Sequence, residues 1–267
     1  MEDKPRVRLD VESTAARLTL TRPEVRNAFD DALIAELSAA LLVVRGAFET
    51  DPDTAPRVLV LTGEGTAFCA GADMNWMRRS AAMSREENEA DAARFARMML
   101  ALDELPVPTI ARVNGTCLGG GMGLVACCDV VVADEGADFG FTEVRLGIAP
   151  AVISSFVLPK IGAAAARRWF LTGEIFRADT AQAMGLVHEV VPASELDLAV
   201  ARITAAIAGN GPRAVAAAKR LIRENTALPR VGAIENSVKA IAALRTSPEG
   251  QEGLGAFLEK RRPAWKK

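Results

Sequence analysis

Short β-branched runs alternate with helical apolar spacings through the first half of the chain. Arg6 to Asp10 and Ala16 to Thr21 predict strands, and Asp31 to Phe48 carries apolar residues at 33, 34, 37, 41, 44 and 48, one face of a helix. Strands over Val58 to Thr62 and Thr109 to Val113 bracket a helix from about Arg85 to Asp103. Ser84 with Glu87 three residues on predicts a capping box at its start, and Pro106 and Pro108 mark its end. Val130 to Ala133 adds another short strand. This alternation predicts an α/β chain, a largely parallel sheet with helices packed outside it.

Beyond about residue 195 the pattern becomes helical only. Alanine-rich stretches run from Leu196 to Ala208, from Arg213 to Asn225 and from Val231 to Leu244, broken at Gly211-Pro212 and Pro229. The chain therefore divides into an α/β part, 1–195, and a helical part, 196–267, expected to pack on the core or on a neighbouring subunit. No repeat of solenoid length and no low-complexity tract is evident.

Composition narrows the function. With 267 residues, 50% of them hydrophobic and 25% charged, the chain can bury a sizeable core. A net charge of -2 argues against a nucleic-acid surface, which relies on clustered Lys and Arg. Only the end is basic: Glu259 to Lys267 holds five basic side chains against one acid, either a solvated tail or a phosphate contact. The first six residues lack an apolar run, and nowhere are there about 18 consecutive apolar residues, so a cytoplasmic location without membrane contact is expected. The four cysteines, Cys69, Cys117, Cys127 and Cys128, lack zinc-site spacing and are expected as small buried hydrophobes, with no metal. The single histidine, His188, lies in a β-type run and is expected to be structural, which speaks against triad hydrolysis.

Three segments carry candidate chemistry. Phe68-Cys-Ala-Gly-Ala-Asp-Met74 follows the strand Val58 to Thr62, and Asn114-Gly-Thr-Cys-Leu-Gly-Gly-Gly-Met-Gly123 follows the strand Thr109 to Val113. Where strands end and helices begin, backbone N–H groups are unpaired, and glycine lets another group approach them. Two such loops together can present two donors to one oxygen, as an oxyanion hole does. Neither loop completes a Walker or dinucleotide fingerprint. In the third, Phe139-Gly-Phe-Thr-Glu-Val-Arg-Leu-Gly-Ile-Ala-Pro150, Glu143 is either a surface carboxylate paired with Arg145 or a desolvated general acid or base.

In this order and spacing, the three segments resemble the crotonase (enoyl-CoA hydratase/isomerase) superfamily over nearly the whole chain. The resemblance implies a spiral core of ββα units and a helical C-terminal part that builds homotrimers, often paired as hexamers. It implies that Ala72 and Gly120 hold a thioester oxygen through their N–H groups, that Glu143 is the acid/base, and that Ala70, Asp73, Met74, Asn75 and Ala151 line the acyl-CoA site. Arg26 resembles the basic residue near the CoA phosphates, and Phe257 and Lys260 the pair that closes over CoA. CoA belongs to the substrate, and no other cofactor is implied.

One departure matters. Two-carboxylate hydratases carry a second Glu where this chain has Gly123. A single carboxylate is what enoyl-CoA isomerases use. The segments Asp73-Met-Asn-Trp-Met-Arg-Arg79, Gly123-Leu-Val-Ala-Cys-Cys-Asp129 and Ala149-Pro-Ala-Val-Ile-Ser154 look like the bacterial branch that hydrates 3-methylglutaconyl-CoA and isohexenylglutaconyl-CoA. On that reading the room left by Gly123 suits a 3-branched chain, and Arg78, Arg79 or Arg145 meets the distal carboxylate. A non-catalytic acyl-CoA binder or an RNA-binding relative is the non-enzymatic alternative, against which stand the retained Glu143 and the acidic charge balance.

Overall fold

A computed structural model describes residues 4–12 and 14–266; the start of the N-terminal segment and Lys267 of the basic tail lie outside them. Strands β1 (Val7–Val11) and β2 (Ala15–Leu20) form an antiparallel pair. Helix α1 (Asp31–Thr50) follows, its first turn capped by the Asp30 carboxylate, which accepts from Leu33 N at 2.8 Å. Its buried residues, Leu33, Ile34, Leu37, Leu41 and Val44, are the stripe the spacing predicts.

Three units then repeat one course. Each runs a strand in a large sheet, turns a corner, runs a three-residue strand in a small sheet, and returns through helices. The first is β3 (Val58–Gly63), β4 (Ala67–Cys69), α2 (Met74–Ala82) and α3 (Arg85–Asp103). The second is β5 (Thr109–Val113), β6 (Thr116–Leu118) and α4 (Gly120–Cys127). The third is β7 (Val130–Asp134), β8 (Asp138–Gly140) and α5 (Ala151–Thr172), which is broken at Gly162 by its φ of 70°. Strand β9 (Ile175–Arg177), helix α6 (Ala178–Ala183) and strand β10 (Glu189–Val191) complete this part. The large sheet has the order β1-β2-β3-β5-β7-β10 and the small one β4-β6-β8-β9, parallel throughout except β1–β2 and β8–β9. This is the crotonase-type spiral of ββα units, and the helices that follow complete the expected architecture.

Burial on both faces of the large sheet explains its continuous apolar strands. Leu59, Leu61, Val131 and Ala133 face the main core, while Val58, Val60 and Val132 face Leu196, Ala199 and Val200 of α7 (Leu196–Ala208). Thus 196–208 closes the outer face of the sheet. Helices α8 (Pro212–Ala227), α9 (Arg230–Thr246) and α10 (Pro248–Leu258) extend beyond it, with Lys219 on α8 pairing with Asp129 at 2.7 Å. The capping box forms at α3: Glu87 N donates to Ser84 Oγ at 3.2 Å and Ser84 N to Glu87 Oε2 at 2.7 Å.

The cysteines and the histidine are built into this core. All four thiols are buried, and burial pushes Cys69 and Cys128 up to about 12. His188 Nδ1 accepts from Val131 N at 3.0 Å, tying the approach to β10 to β7.

Candidate active site

Parallel pairing in the small sheet brings the three chemistry-bearing loops to one place. Register Cys69↔Cys117 sets the loop after β4 beside the loop after β6, and register Cys117↔Phe139 sets the turn after β8 beside both. Ligands in parallel α/β sheets gather at such carboxyl ends of strands. A cavity of about 350 Å³ opens there, lined by Ala70, Ala72, Gly120, Glu143 and Ala151 among the expected residues.

The glycines let the loops touch. A Cβ on Gly119 would lie 3.7 Å from Gly71 Cα and 3.5 Å from Glu143 Oε1. Phe29 N donates to Gly71 O at 2.7 Å and Asp73 N to Phe29 O at 2.8 Å, a parallel bridge that leaves the intervening Ala72 N–H on the other side of the chain. No acceptor among the described residues meets it. Gly120 is the first residue of α4, so its N–H has no intrahelical acceptor either. The cavity therefore combines two unspent backbone donors.

Glu143 opens a short 3₁₀ turn, Glu143–Leu146, closed by Gly147, whose N–H donates to Val144 O at 3.2 Å. Its Oε2 is buried with no protein partner, and no ion pair to Arg145 forms. Burial raises the carboxyl above the usual glutamate range, with its own amide N–H working the other way. Such a group takes and returns a proton more readily near neutrality than an ordinary carboxylate does.

Other expected residues have other places. Asp73 caps α2 by accepting from Asn75 N at 2.8 Å and pairs with Arg22 at 3.1 Å. Burial alone would raise its carboxyl; the Asn75 N–H and Arg22 outweigh this and hold it below the usual range. Met74, 65% exposed, and Asn75, bound to Arg78, stand outside the cavity lining. Arg26 is exposed beside the loop, its carbonyl accepting from Ala70 N at 2.9 Å. Phe257, 81% exposed, and Lys260 lie at the end of α10, away from the cavity of their own chain.

Gly123 corrects an expectation. The space beside it is filled, not free: a Cβ would sit 2.5 Å from Ile153 Cγ2 and 2.9 Å from Met99 Cε. It leaves no room for a branched acyl chain, and Ile153 lines the cavity instead. Gly123→Glu is expected to destabilise the fold by about 1–3 kcal/mol through overpacking. Calorimetric Tm values will show this, with Ile153→Ala in the same chain recovering part of the loss.

Sequence reading missed the walls. Phe29, Trp76, Asp91, Phe95 and Ile153 all line the cavity. The signal was present in α3, where the buried stripe Asp91, Phe95, Met98, Met99, Leu102 begins with an acid. Asn27, fully buried at φ 57°, was also missed; its Nδ2 donates to Glu64 O and Ala67 O and so fixes the chain leading to Phe29.

A ββα spiral whose glycine loops frame one half-buried glutamate defines an acyl-thioester enzyme of the crotonase class. The chain belongs to the family described as enoyl-CoA hydratase/isomerase, which matches residues 10–267. It is an enzyme of the enoyl-CoA hydratase type, a hydro-lyase. It is similar to the 2,3-dehydroadipyl-CoA hydratase of Escherichia coli K12, 36% identical over 93% of this chain and 94% of that one. It is similar also to the crotonyl-CoA hydratase of Syntrophomonas wolfei, 34% identical over 95% of each chain. Among solved structures, an enoyl-CoA hydratase from Shewanella pealeana superposes with a TM-score of 0.91, at 38% identity over 97% of this chain and 96% of that one.

Proposed function

We propose that this enzyme hydrates a 2-enoyl-CoA with Glu143 as its only acid/base. The observation that carries the reading is Glu143 Oε2, buried without a protein partner beside the unspent N–H groups of Ala72 and Gly120. Those donors hold the thioester oxygen. Glu143 takes a proton from water as the water oxygen bonds to C3, and negative charge moves onto the thioester oxygen as an enolate. Protonated Glu143 then returns that proton to C2, so both parts of water are added and the carboxylate is restored. Donors aimed at the developing oxyanion act where charge appears, and each is worth about 10²–10³ in kcat.

For the acyl group the geometry favours a neutral chain over the glutaconyl dicarboxylate. Arg78 binds Asn75, Arg79 pairs with Asp31, and Arg145 lies along Gly173; none of them lines the cavity, whereas the acid Asp91 does. A distal carboxylate there would meet a second acid, and the cation paired with Asp91, Arg94, does not line the cavity. Relatives hydrating crotonyl-CoA and 2,3-dehydroadipyl-CoA lie at similar identity, so family membership leaves the acyl group open.

Mass spectrometry after incubation in H₂¹⁸O with a straight 2-enoyl-CoA, 3-methylglutaconyl-CoA, isohexenylglutaconyl-CoA and a 3-enoyl-CoA tests both parts. Uptake of ¹⁸O into the 2-enoyl product, lost in Glu143→Gln, is expected. Double-bond migration without ¹⁸O would establish the isomerase instead, and preferred hydration of a glutaconyl thioester would restore the dicarboxylate.

The enzyme is further proposed to work as a cytoplasmic homotrimer that needs no cofactor beyond the substrate's CoA. Among the described residues, no helix is long and apolar enough to cross a membrane. Helix α9 buries no residue within its own chain, and Val231, Ile234, Val238 and Ile241 expose one apolar face at helical spacing. A neighbouring subunit covering that face also supplies the surroundings in which Phe257 and Lys260 reach CoA. Val238→Glu is expected to convert trimer to monomer, read by sedimentation velocity.

A further inference from the structure

Helices α2 and α3 form the wall of the cavity that faces away from the thioester loops, and its polar groups are unevenly spent. Asn88 Nδ2 donates to the carbonyls of Ser80, Met83 and Ser84, leaving Oδ1 as an open acceptor. The Ser80 hydroxyl proton goes to the carbonyls of Trp76 and Met77. Asp91, only 5% exposed, accepts from Arg94 at 2.5 Å through Oδ1, and Oδ2 has no partner among the described residues. Against these acceptors stands one unspent donor: Trp76 Nε1–H is buried without a partner. Ser80, Asn88, Asp91 and Trp76 all line the cavity.

We infer that this wall selects an acyl group bearing a hydroxyl at its distal end, which donates to Asp91 and accepts from the Trp76 indole. The inference rests on the acyl-CoA site proposed above and names its substrate class. An alkyl end covers the free Asp91 oxygen and leaves it and the indole N–H unpaired, and each such group then carries a desolvation penalty. A carboxylate end brings a second acid beside Asp91, whose partner Arg94 does not line the cavity. An ammonium end satisfies Asp91 but has no lone pair for the indole. Of these ends the hydroxyl, donor and acceptor in one atom, satisfies both.

Calorimetric titration with saturated acyl-CoA thioesters of equal length, ending in methyl, hydroxymethyl, aminomethyl or carboxylate, reads this selection without catalysis. The hydroxyl-ended thioester is expected to bind about 10- to 100-fold tighter than the methyl-ended one, a typical return for a hydrogen bond to a charged group. Asp91→Leu leaves Arg94 with Asp31, 3.7 Å away, and is expected to invert the order, with the methyl-ended thioester gaining affinity. Trp76→Phe removes only the donor and is expected to weaken the hydroxyl-ended thioester alone; it remains informative if Asp91→Leu does not fold. Equal or tighter binding of any other end by the unmodified enzyme overturns the inference, as does an unchanged preference in both variants. Hydroxyl preference without turnover would sink the hydratase reading and leave this one standing, and turnover without preference would do the reverse.

Discussion

Glu143→Gln is expected to lower kcat for hydration by about 10²–10⁴, the usual worth of a positioned acid/base, while acyl-CoA binding persists. The backbone donors of Ala72 and Gly120 do not depend on the carboxyl, so the loss falls on the proton transfers. The pH dependence has a definite sign. Hydration begins from ionised Glu143, and burial raises its pKa, so kcat/KM falls on the acid side through a value above the usual glutamate range. Stability runs the opposite way. An acid whose folded pKa is raised costs the fold nothing below its unfolded pKa; the cost grows as pH rises toward the folded pKa and is complete above it. Glu143→Gln should therefore raise Tm at neutral pH, with the gain vanishing in acid. Paired rate and melting profiles check both, and an acid limb at the ordinary glutamate value would remove Glu143 from the role.

The second large effect is expected at a residue with no functional group. Gly119 has φ 50° and ψ -119°, a backbone region closed to residues with a Cβ. Its ψ sets the direction of the peptide carrying the Gly120 N–H. Its own N–H is fixed to Gly140 O at 3.0 Å, so strain at this residue is relieved by turning that peptide, at the expense of the 2.9 Å bond from Met122 N to the Gly119 carbonyl. Gly119→Ala is expected to cost about 1–3 kcal/mol of stability. It also swings one donor off the thioester oxygen, lowering kcat by about 10²–10³. Turnover measured beside affinity for a saturated thioester separates the two, because a merely loosened cavity would lose both together.

The sequence was readable where chemistry punctuates it. Helix α3 spans Arg85–Asp103 because Ser84 and Glu87 cap its start and the prolines stop its continuation, and α7 spans Leu196–Ala208 with its apolar face on the sheet, both as predicted. The three-residue strands β4, β6, β8 and β9 are shorter than any period that reveals a strand, yet they align the loops. Helix α5 has no clean helical signature in the sequence, since Pro159 and the non-helical Gly162 lie inside it. Of the candidate site, the loops that carry Ala72, Gly120 and Glu143 were visible as glycine-rich motifs. Asp91 and Trp76 were not, because their meaning comes from which hydrogen bonds remain unmade. Gly123 misled for a related reason: a missing side chain says nothing about whether a neighbour has taken its place.

The small sheet and the α2–α3 wall divide labour in a way that bears on how such an enzyme changes over time. Two of the three groups proposed to act on the thioester are main-chain N–H groups, which single-base changes cannot replace and which few substitutions improve. The wall is made of ordinary side chains on helix surfaces that carry no reacting atom. Selection for a new acyl group can therefore rewrite Trp76, Ser80, Asn88 and Asp91 one at a time while the bond-making step is inherited intact, and laboratory evolution aimed at new thioesters has its shortest list of positions there.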